Sequence, residues 1–221
     1  MDFNGRCAVI TGAGSGIGRA LAQALNEQGC TLFISDINDA TLAETQRSLT
    51  APERSVSAVV DVADREAVMR WAQDIAGRTA AVDLVVNNAG VALIAPATAT
   101  SQEDFHWLMN INFWGVVHGC EAFMPLLERA PAGRLVNISS VFGLIGVPTQ
   151  AAYNAAKFAV RGYSEALRQE LELAGSRVRL CCVHPGGIGT TIARSGRNAD
   201  PGVTPEDQHQ AVIQHVRTSA D

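Results

Sequence analysis

The chain has no excess of basic residues: 17 Lys and Arg stand against 22 Asp and Glu, and the cations form no stripe. A phosphate backbone is held by clustered cations, so nucleic acid is not expected as a partner. Cysteine chemistry is equally thin. Cys7, Cys30, Cys120, Cys181 and Cys182 are odd in number, lack a C-x-x-C spacing and mostly lie in apolar runs, where a thiol acts as a small hydrophobe. That usage fits a reducing cytoplasm. His106, His118, His184, His209 and His215 show no metal-ligand spacing with cysteines or carboxylates, so no metal is expected and they read as surface or packing residues. The first residues run from an acid into glycines, without the basic and apolar regions of a secretory leader. No apolar stretch approaches the roughly 18 residues that span a bilayer, so a soluble protein without a membrane partner is expected. Internal repeats and low-complexity tracts are also missing.

What the chain does have is alternation. Its 221 residues, 47% of them apolar, suffice for one sizeable core, so a single domain over 1–221 is expected, with 195–221 as a lid or terminal segment. Short runs rich in Val, Ile and Leu read as strands at 6–11, 31–36, 55–61, 83–87, 134–139 and 177–184. Amphipathic stretches at 16–28, 40–49, 65–76, 102–129 (broken near Asn112) and 152–174 read as helices. The runs Leu84-Val85-Val86 and Val178 to Val183 lack period-two alternation, as expected of parallel strands covered on both faces. Regular βαβ alternation implies an α/β fold, a Rossmann-like doubly wound parallel sheet with helices on both faces. Residues 195–202 are polar and rich in turn formers and read as a loop, after which Thr204 caps a last helix to about Arg217.

The segment Thr11-Gly12-Ala13-Gly14-Ser15-Gly16-Ile17-Gly18 follows the first strand and opens the first helix. Glycine permits the tight turn and lets backbone N–H groups and the helix N-terminus approach a pyrophosphate. Gly12, Ser15, Gly16, Ile17 and Gly18 are therefore candidate dinucleotide contacts. Asp36 closes the second strand, where a carboxylate can accept from the adenosine ribose hydroxyls and would repel a 2′-phosphate. Neither Ser15 nor Ile37 offers a cation to offset that repulsion, so NAD is expected over NADP.

Tyr153-Asn154-Ala155-Ala156-Lys157 places a phenol and an ammonium four residues apart, on one helix face. A free phenol has a pKa of about 10, and lowering it to about 7 requires roughly 4 kcal/mol of preference for phenolate. A neighbouring lysine and an oxidised nicotinamide are positive charges of the right kind.

With that pair, the sequence resembles the short-chain dehydrogenase/reductase family, in its short single-domain branch, from Gly5 to about Arg194. The resemblance is carried by the glycine segment, Asp61-Val62, Asn87-Asn88-Ala89-Gly90, Asn110-Ile111-Asn112, Asn137-Ile138-Ser139-Ser140, Tyr153 to Lys157, and His184-Pro185-Gly186-Gly187-Ile188. It implies hydride transfer between NAD(H) and a carbonyl or secondary alcohol. By the same resemblance Ser140 bonds the substrate oxygen, with Ser139 as rival; Tyr153 is the general acid/base; Lys157 lowers its pKa and holds the nicotinamide ribose. Asn112 supports a water relay to that lysine from a helix break, with Asn110 as rival. Asp61 and Val62 flank the adenine, Val62 alternatively being simple core. Asn88, Ala89 and Gly90 face the coenzyme, as do Pro185 and Gly186, while Ile188 and Thr190 (or Thr191) touch the nicotinamide carboxamide and phosphate. Family members dimerise or form tetramers, and the matching helix pair here, 102–129 and 152–174, carries apolar residues on more than one face.

Relatives usually continue with a further helix and a seventh strand, so the C-terminal part reads as shortened. A second function class stays open, a catalytically weak nucleotide-binding or sensing protein on the same fold, although the Ser140, Tyr153, Lys157 set favours an enzyme. Residues 141–148, with Val91, Ala92 and Leu93, form an apolar wall suited to an apolar ketone or alcohol. Trp71, Trp107 and Trp114 read as helix-packing residues, 107–114 alternatively as a subunit contact.

Overall fold

A computed structural model of the chain describes residues 3–186 and 197–198, and the structural statements here concern those residues. The chain builds β1 (Cys7–Thr11), α1 (Gly16–Glu27), β2 (Thr31–Asp36), α2 (Asp39–Arg47), β3 (Ser55–Val59), α3 (Arg65–Ala76) and β4 (Leu84–Asn87). A two-residue β5 (Leu93–Ile94) and α4 (Gln102–Met109) follow, then a π-helical turn (Asn110–Trp114) that runs into α5 (Gly115–Arg129). β6 (Arg134–Ile138), α6 (Ala151–Leu173), β7 (Arg179–Val183) and a two-residue β8 (Arg197–Asn198) complete the set.

Six strands form one parallel sheet in the order β3-β2-β1-β4-β6-β7. The chain winds outward from β1 to β3, then crosses back to β4 and outward again to β7. The carboxyl ends of β1 and β4 therefore flank the point where the winding reverses, the crevice in which such sheets take ligands. One face of the sheet presents Val9, Phe33, Val85, Leu135 and Leu180 to a core shared with α3, α5 and α6. The other presents Ala8, Ile10, Leu32, Ile34 and Val86 to a core that includes Ala22, Leu25 and Leu42 from α1 and α2. Every residue of β1 and β4 is buried, which explains why these strands show no alternation in sequence.

Local chemistry sets most helix starts. Asn38, Asp64 and Ser101 each accept from a backbone N–H three residues on, at 3.2, 3.1 and 3.0 Å, and so cap α2, α3 and α4. α1 differs, because Ser15 stands at its N-cap without a side-chain cap bond, leaving its first N–H groups open toward the crevice.

Several expectations need correction. The strand expected over 55–61 ends at Val59, and the Asp61 carboxylate accepts from Ala63 N–H at 2.9 Å, a side-chain turn that bends the chain away. The helix expected over 102–129 does break near Asn112, where a π turn spans Asn110–Trp114. β7 is not covered on both faces by the described residues: Arg179, Cys181 and Val183 are exposed. The stretch 195–202, read as a loop, contains β8, which pairs in parallel with β5 through Leu93↔Arg197 and Ile94↔Asn198. No local propensity marks so short a strand; its pairing partner lies a hundred residues away. Thr204 and the helix expected after it lie outside the described residues.

Candidate active site

The crevice floor is backbone laced by one threonine and one asparagine. Thr11 Oγ1, at the end of β1, accepts from Asn88 N–H and Ala89 N–H at 3.0 and 3.1 Å. Asn88 Nδ2 in turn donates to the carbonyls of Thr11 and Gly12 at 2.9 and 3.0 Å. This lacing leaves no room for side chains. A Cβ on Gly12, where φ is +65°, would fall 2.7 Å from the Ala89 Cα, and one on Gly18 would fall 2.6 Å from Asn88 Nδ2. Gly16, also at positive φ, completes the turn beside the exposed Ser15 and half-buried Ile17 at the open start of α1.

At the carboxyl end of β2, Asp36 Oδ2 accepts from Gly14 N–H at 2.8 Å and Oδ1 from Asn38 N–H at 3.0 Å. Ile37, 64% exposed, offers no charge beside it. Asp61 is exposed, whereas Val62 is buried with its side chain against Gly115 of α5, so Val62 is core whatever else it touches. The Val62 carbonyl accepts from His118 Nδ1–H at 3.0 Å, and that ring stacks beside Trp114.

The reacting end forms where β6, the Val141–Gly143 turn and α6 meet. Ser139 and Ser140 part company here. Ser139 Oγ donates to the Lys157 carbonyl at 2.9 Å and is committed to holding α6. The Ser140 side chain instead faces Tyr153 and lowers the phenol's pKa, while its own carbonyl accepts from His184 Nδ1–H at 3.0 Å. Lys157, 3% exposed, points its Nζ at the Ile138 carbonyl, 2.9 Å away, and lies 5.7 Å from the Tyr153 ring centroid. Burial brings its pKa down to about 8, opposed by the Cys182 thiol. Burial likewise raises Tyr153 above its ordinary value, the serine only partly offsetting it. The expected lowering of the phenol by lysine is therefore not what these residues alone produce: desolvation favours the neutral form of both.

Asn112 is fully buried in the π turn, and Asn110 is exposed. The Asn112 amide closes a two-bond ring with Val91, accepting from its N–H and donating to its carbonyl, each at 2.8 Å. A Cβ on Gly90 would stand 3.3 Å from Asn112 Oδ1 and 3.6 Å from Lys157 Nζ, so these residues converge on one spot. Pro185 accepts from Val141 N–H at 3.0 Å and Gly186 lies beside Val141, which brings the turn after β7 to the same end of the sheet. Ile188, Thr190 and Thr191 lie outside the described residues.

Three contributors escaped the sequence reading. Asn154, next to the tyrosine, donates to the carbonyls of Phe142 and Ile145, both at 2.7 Å, and accepts from Val147 N–H at 3.0 Å, tying the apolar wall to α6. Arg197 pairs with Asp104 at 2.9 Å and lies 3.9 Å over the Trp107 ring. Arg19 folds its guanidinium back onto the glycine turn. The only signal for Asn154 was its place inside the Tyr-x-x-x-Lys segment; Arg19 had only its nearness to the glycine segment, and Arg197 had none, since Asp104 is remote in sequence.

A family model described as short chain dehydrogenase matches residues 6–201. SadH of Mycobacterium tuberculosis, an oxidoreductase by name, is 49% identical over 200 residues, which cover 90% of this chain and 72% of SadH. A short chain dehydrogenase/reductase from Burkholderia phymatum, solved in complex with NAD, superposes with a TM-score of 0.86 at 33% identity, over 98% of this chain and 80% of that one. An alcohol dehydrogenase from the archaeon Thermococcus sibiricus, complexed with 5-hydroxy-NADP, gives a TM-score of 0.80 at 27% identity, over 96% and 90%. The glycine turn, the parallel sheet and the Ser140, Tyr153, Lys157 cluster thus occur in a chain that belongs to the short chain dehydrogenase family of oxidoreductases.

Proposed function

We propose that the protein is an NAD(H)-dependent dehydrogenase/reductase that interconverts an apolar ketone and its secondary alcohol, with Tyr153 as general acid/base. The observation that carries this is the convergence of Ser140, Tyr153 and Lys157 at the carboxyl end of β6, beside Gly90 and Asn112. The crevice fits a dinucleotide: Gly12 and Gly18 let the turn pack directly against Asn88 and Ala89, and α1 opens with N–H groups that no side chain caps. In this reading Gly12, Ser15, Gly16, Ile17 and Gly18 hold the pyrophosphate, Asp36 the adenosine ribose, and Asp61 and Val62 flank the adenine. Asn88, Ala89, Gly90, Pro185 and Gly186 line the nicotinamide side, together with Tyr153 and Lys157. Asp36 favours NAD, because its carboxylate accepts from ribose hydroxyls and repels a 2′-phosphate.

When bound, the coenzyme supplies the hydride donor or acceptor and, oxidised, a positive charge that favours phenolate. The chain supplies the rest. Ser140 orients the substrate oxygen; Tyr153 gives it a proton in reduction and removes one in oxidation; Lys157 holds the ribose and biases the phenol. Asn112 fixes the Val91 backbone, keeping the loop after β4 clear of the lysine. The apolar preference rests on Leu144 and Ile145, 45% and 48% exposed, and on Phe142, whose ring meets Tyr153 edge-on at 6.1 Å. The exposed Trp114 and Phe158 are first candidates for contact with a second copy.

The test is Tyr153→Phe, which keeps the ring and removes the proton. Turnover on a ketone and alcohol panel should fall by about a thousandfold, with NADH affinity by fluorescence nearly unchanged. Substantial surviving activity would overturn the assignment, and tighter binding of NADPH than NADH would overturn the coenzyme preference.

A further inference from the structure

In the turn between β3 and α3, one backbone group finds its partner on another element. Within the turn, Asp61 Oδ1 accepts from Ala63 N–H at 2.9 Å and the Asp61 carbonyl from Asp64 N–H at 3.1 Å, while Asp64 caps α3. The Val62 carbonyl instead accepts from His118 of α5 at 3.0 Å. A carbonyl can only accept, so the imidazole carries a hydrogen at Nδ1. Gly115, His118 and Glu121 recur at three-residue spacing and lie along one side of α5, where they meet the turn in series. A Cβ on Gly115 would fall 2.8 Å from Val62 Cγ2, so the helix backbone itself rests against Val62. Glu121 Oε2 accepts from Arg65 Nε at 2.9 Å, at the first residue of α3. That ion pair joins exposed side chains, where water competes. The middle contact is different, because it holds the turn's backbone through a polar bond inside the protein. His118 is 9% exposed, and its ring stacks beside Trp114 four residues earlier.

We propose that His118 is a positioning residue for the adenine ring: from behind the turn it holds the Val62 backbone, and through it the Asp61 carboxylate, where the edge of the purine is read. The proposal rests on the coenzyme reading above, in which Asp61 and Val62 flank the adenine. His118 acts through the turn and not by contact with the coenzyme. A carboxylate accepts from a 6-amino group and repels a 6-carbonyl oxygen, so a turn held in register separates adenine from hypoxanthine. Without the imidazole the Val62 carbonyl loses its donor, and the turn moves to regain one from water.

The experiment titrates the full chain with NADH and with reduced nicotinamide hypoxanthine dinucleotide, which differs from NADH only in the purine, and follows nicotinamide fluorescence without turnover. The wild type should bind NADH about tenfold more tightly than the analogue. His118→Phe keeps a ring beside Trp114 and removes the donor. It should weaken NADH several-fold, leave the analogue nearly unchanged and bring the ratio to about threefold or less. His118→Asn, which restores an N–H near the place of Nδ1, should raise the ratio again. A merely structural role would weaken both ligands alike, since they share the pyrophosphate, both riboses and the nicotinamide. Equal weakening, or a wild-type ratio in His118→Phe, therefore overturns the proposal, as does a ratio no higher in His118→Asn than in His118→Phe. If His118→Phe does not fold, His118→Leu is read in the same way. A wild type that binds the two dinucleotides equally refutes the adenine assignment itself.

Discussion

The two ends of the crevice are held together by different means. At the coenzyme end two side chains bond directly to backbone: Thr11 Oγ1 and Asn88 Nδ2 lace β1 to β4 so closely that a Cβ on Gly12 or Gly18 would collide. At the substrate end the contacts run through side chains reaching across sequence, with Asn154 on the Phe142 to Val147 turn, Ser139 on α6 and Arg197 on α4. The contrast shows why an added methyl group is the main threat to one end and a lost side chain the main threat to the other.

The sharpest way to break this contrast is to add a methyl group at the coenzyme end. Gly18→Ala puts a Cβ into Asn88 Nδ2 and the Gly12 backbone, so it should cost about 2–4 kcal/mol in chemical denaturation and abolish NADH binding. A neutral result would mean that the floor is not rigid backbone. Lys157 lies where the two ends meet, and its pKa, lowered to about 8 by burial, makes it a group whose charge the fold disfavours. Below pH 8 both folded and unfolded chains bind its proton, and the folded state bears the full desolvation cost. Between about 8 and 10.5 only the unfolded chain still binds the proton, so this group's contribution to stability rises with pH across that window. Lys157→Met should raise stability at pH 7 by about 1–3 kcal/mol, partly offset by the orphaned Ile138 carbonyl, and its advantage over the wild type should shrink between pH 8 and 10.5 as the lysine loses its proton. An advantage that stays constant across that window locates the linkage elsewhere. The smallest effect belongs to the substrate end. Arg197→Ala loses an exposed ion pair and a ring contact, about 1 kcal/mol or less in thermal melting, leaves NADH affinity alone and raises substrate KM several-fold. A matching loss of NADH affinity would show that the ends are not separable.

The coenzyme half was the legible half. Its strands are continuous apolar runs, its helices begin at Asn38 and Asp64, and its glycines stand at positions where positive φ or close approach demands them. Such signals are local and survive in a one-dimensional reading. The Tyr153 to Lys157 spacing was legible for the same reason, being one turn of a helix. The substrate half was not: β5 and β8 exist only because residues a hundred positions apart pair, and the choice between Ser139 and Ser140 depends on which hydroxyl faces Lys157. Thr149, at a φ of +64° and bonded through its carbonyl to Ala95 N–H, carries no marker in sequence, since a β-branched residue is the last expected in that conformation.

The sequence by itself determined the parallel α/β sheet, the glycine turn at its winding reversal and the placing of Tyr153 and Lys157 on one helix face, because period, glycine placement and i,i+4 spacing are properties of neighbours along the chain. Tertiary structure alone decided how those side chains are charged and which residues support them. Desolvation of Tyr153 and Lys157, the turning of Ser139 into the core, and the folding of Arg19 back onto the glycine turn all depend on what packs around a group. Electrostatic energies are set by distance and burial in space, and neither is written in the spacing of letters.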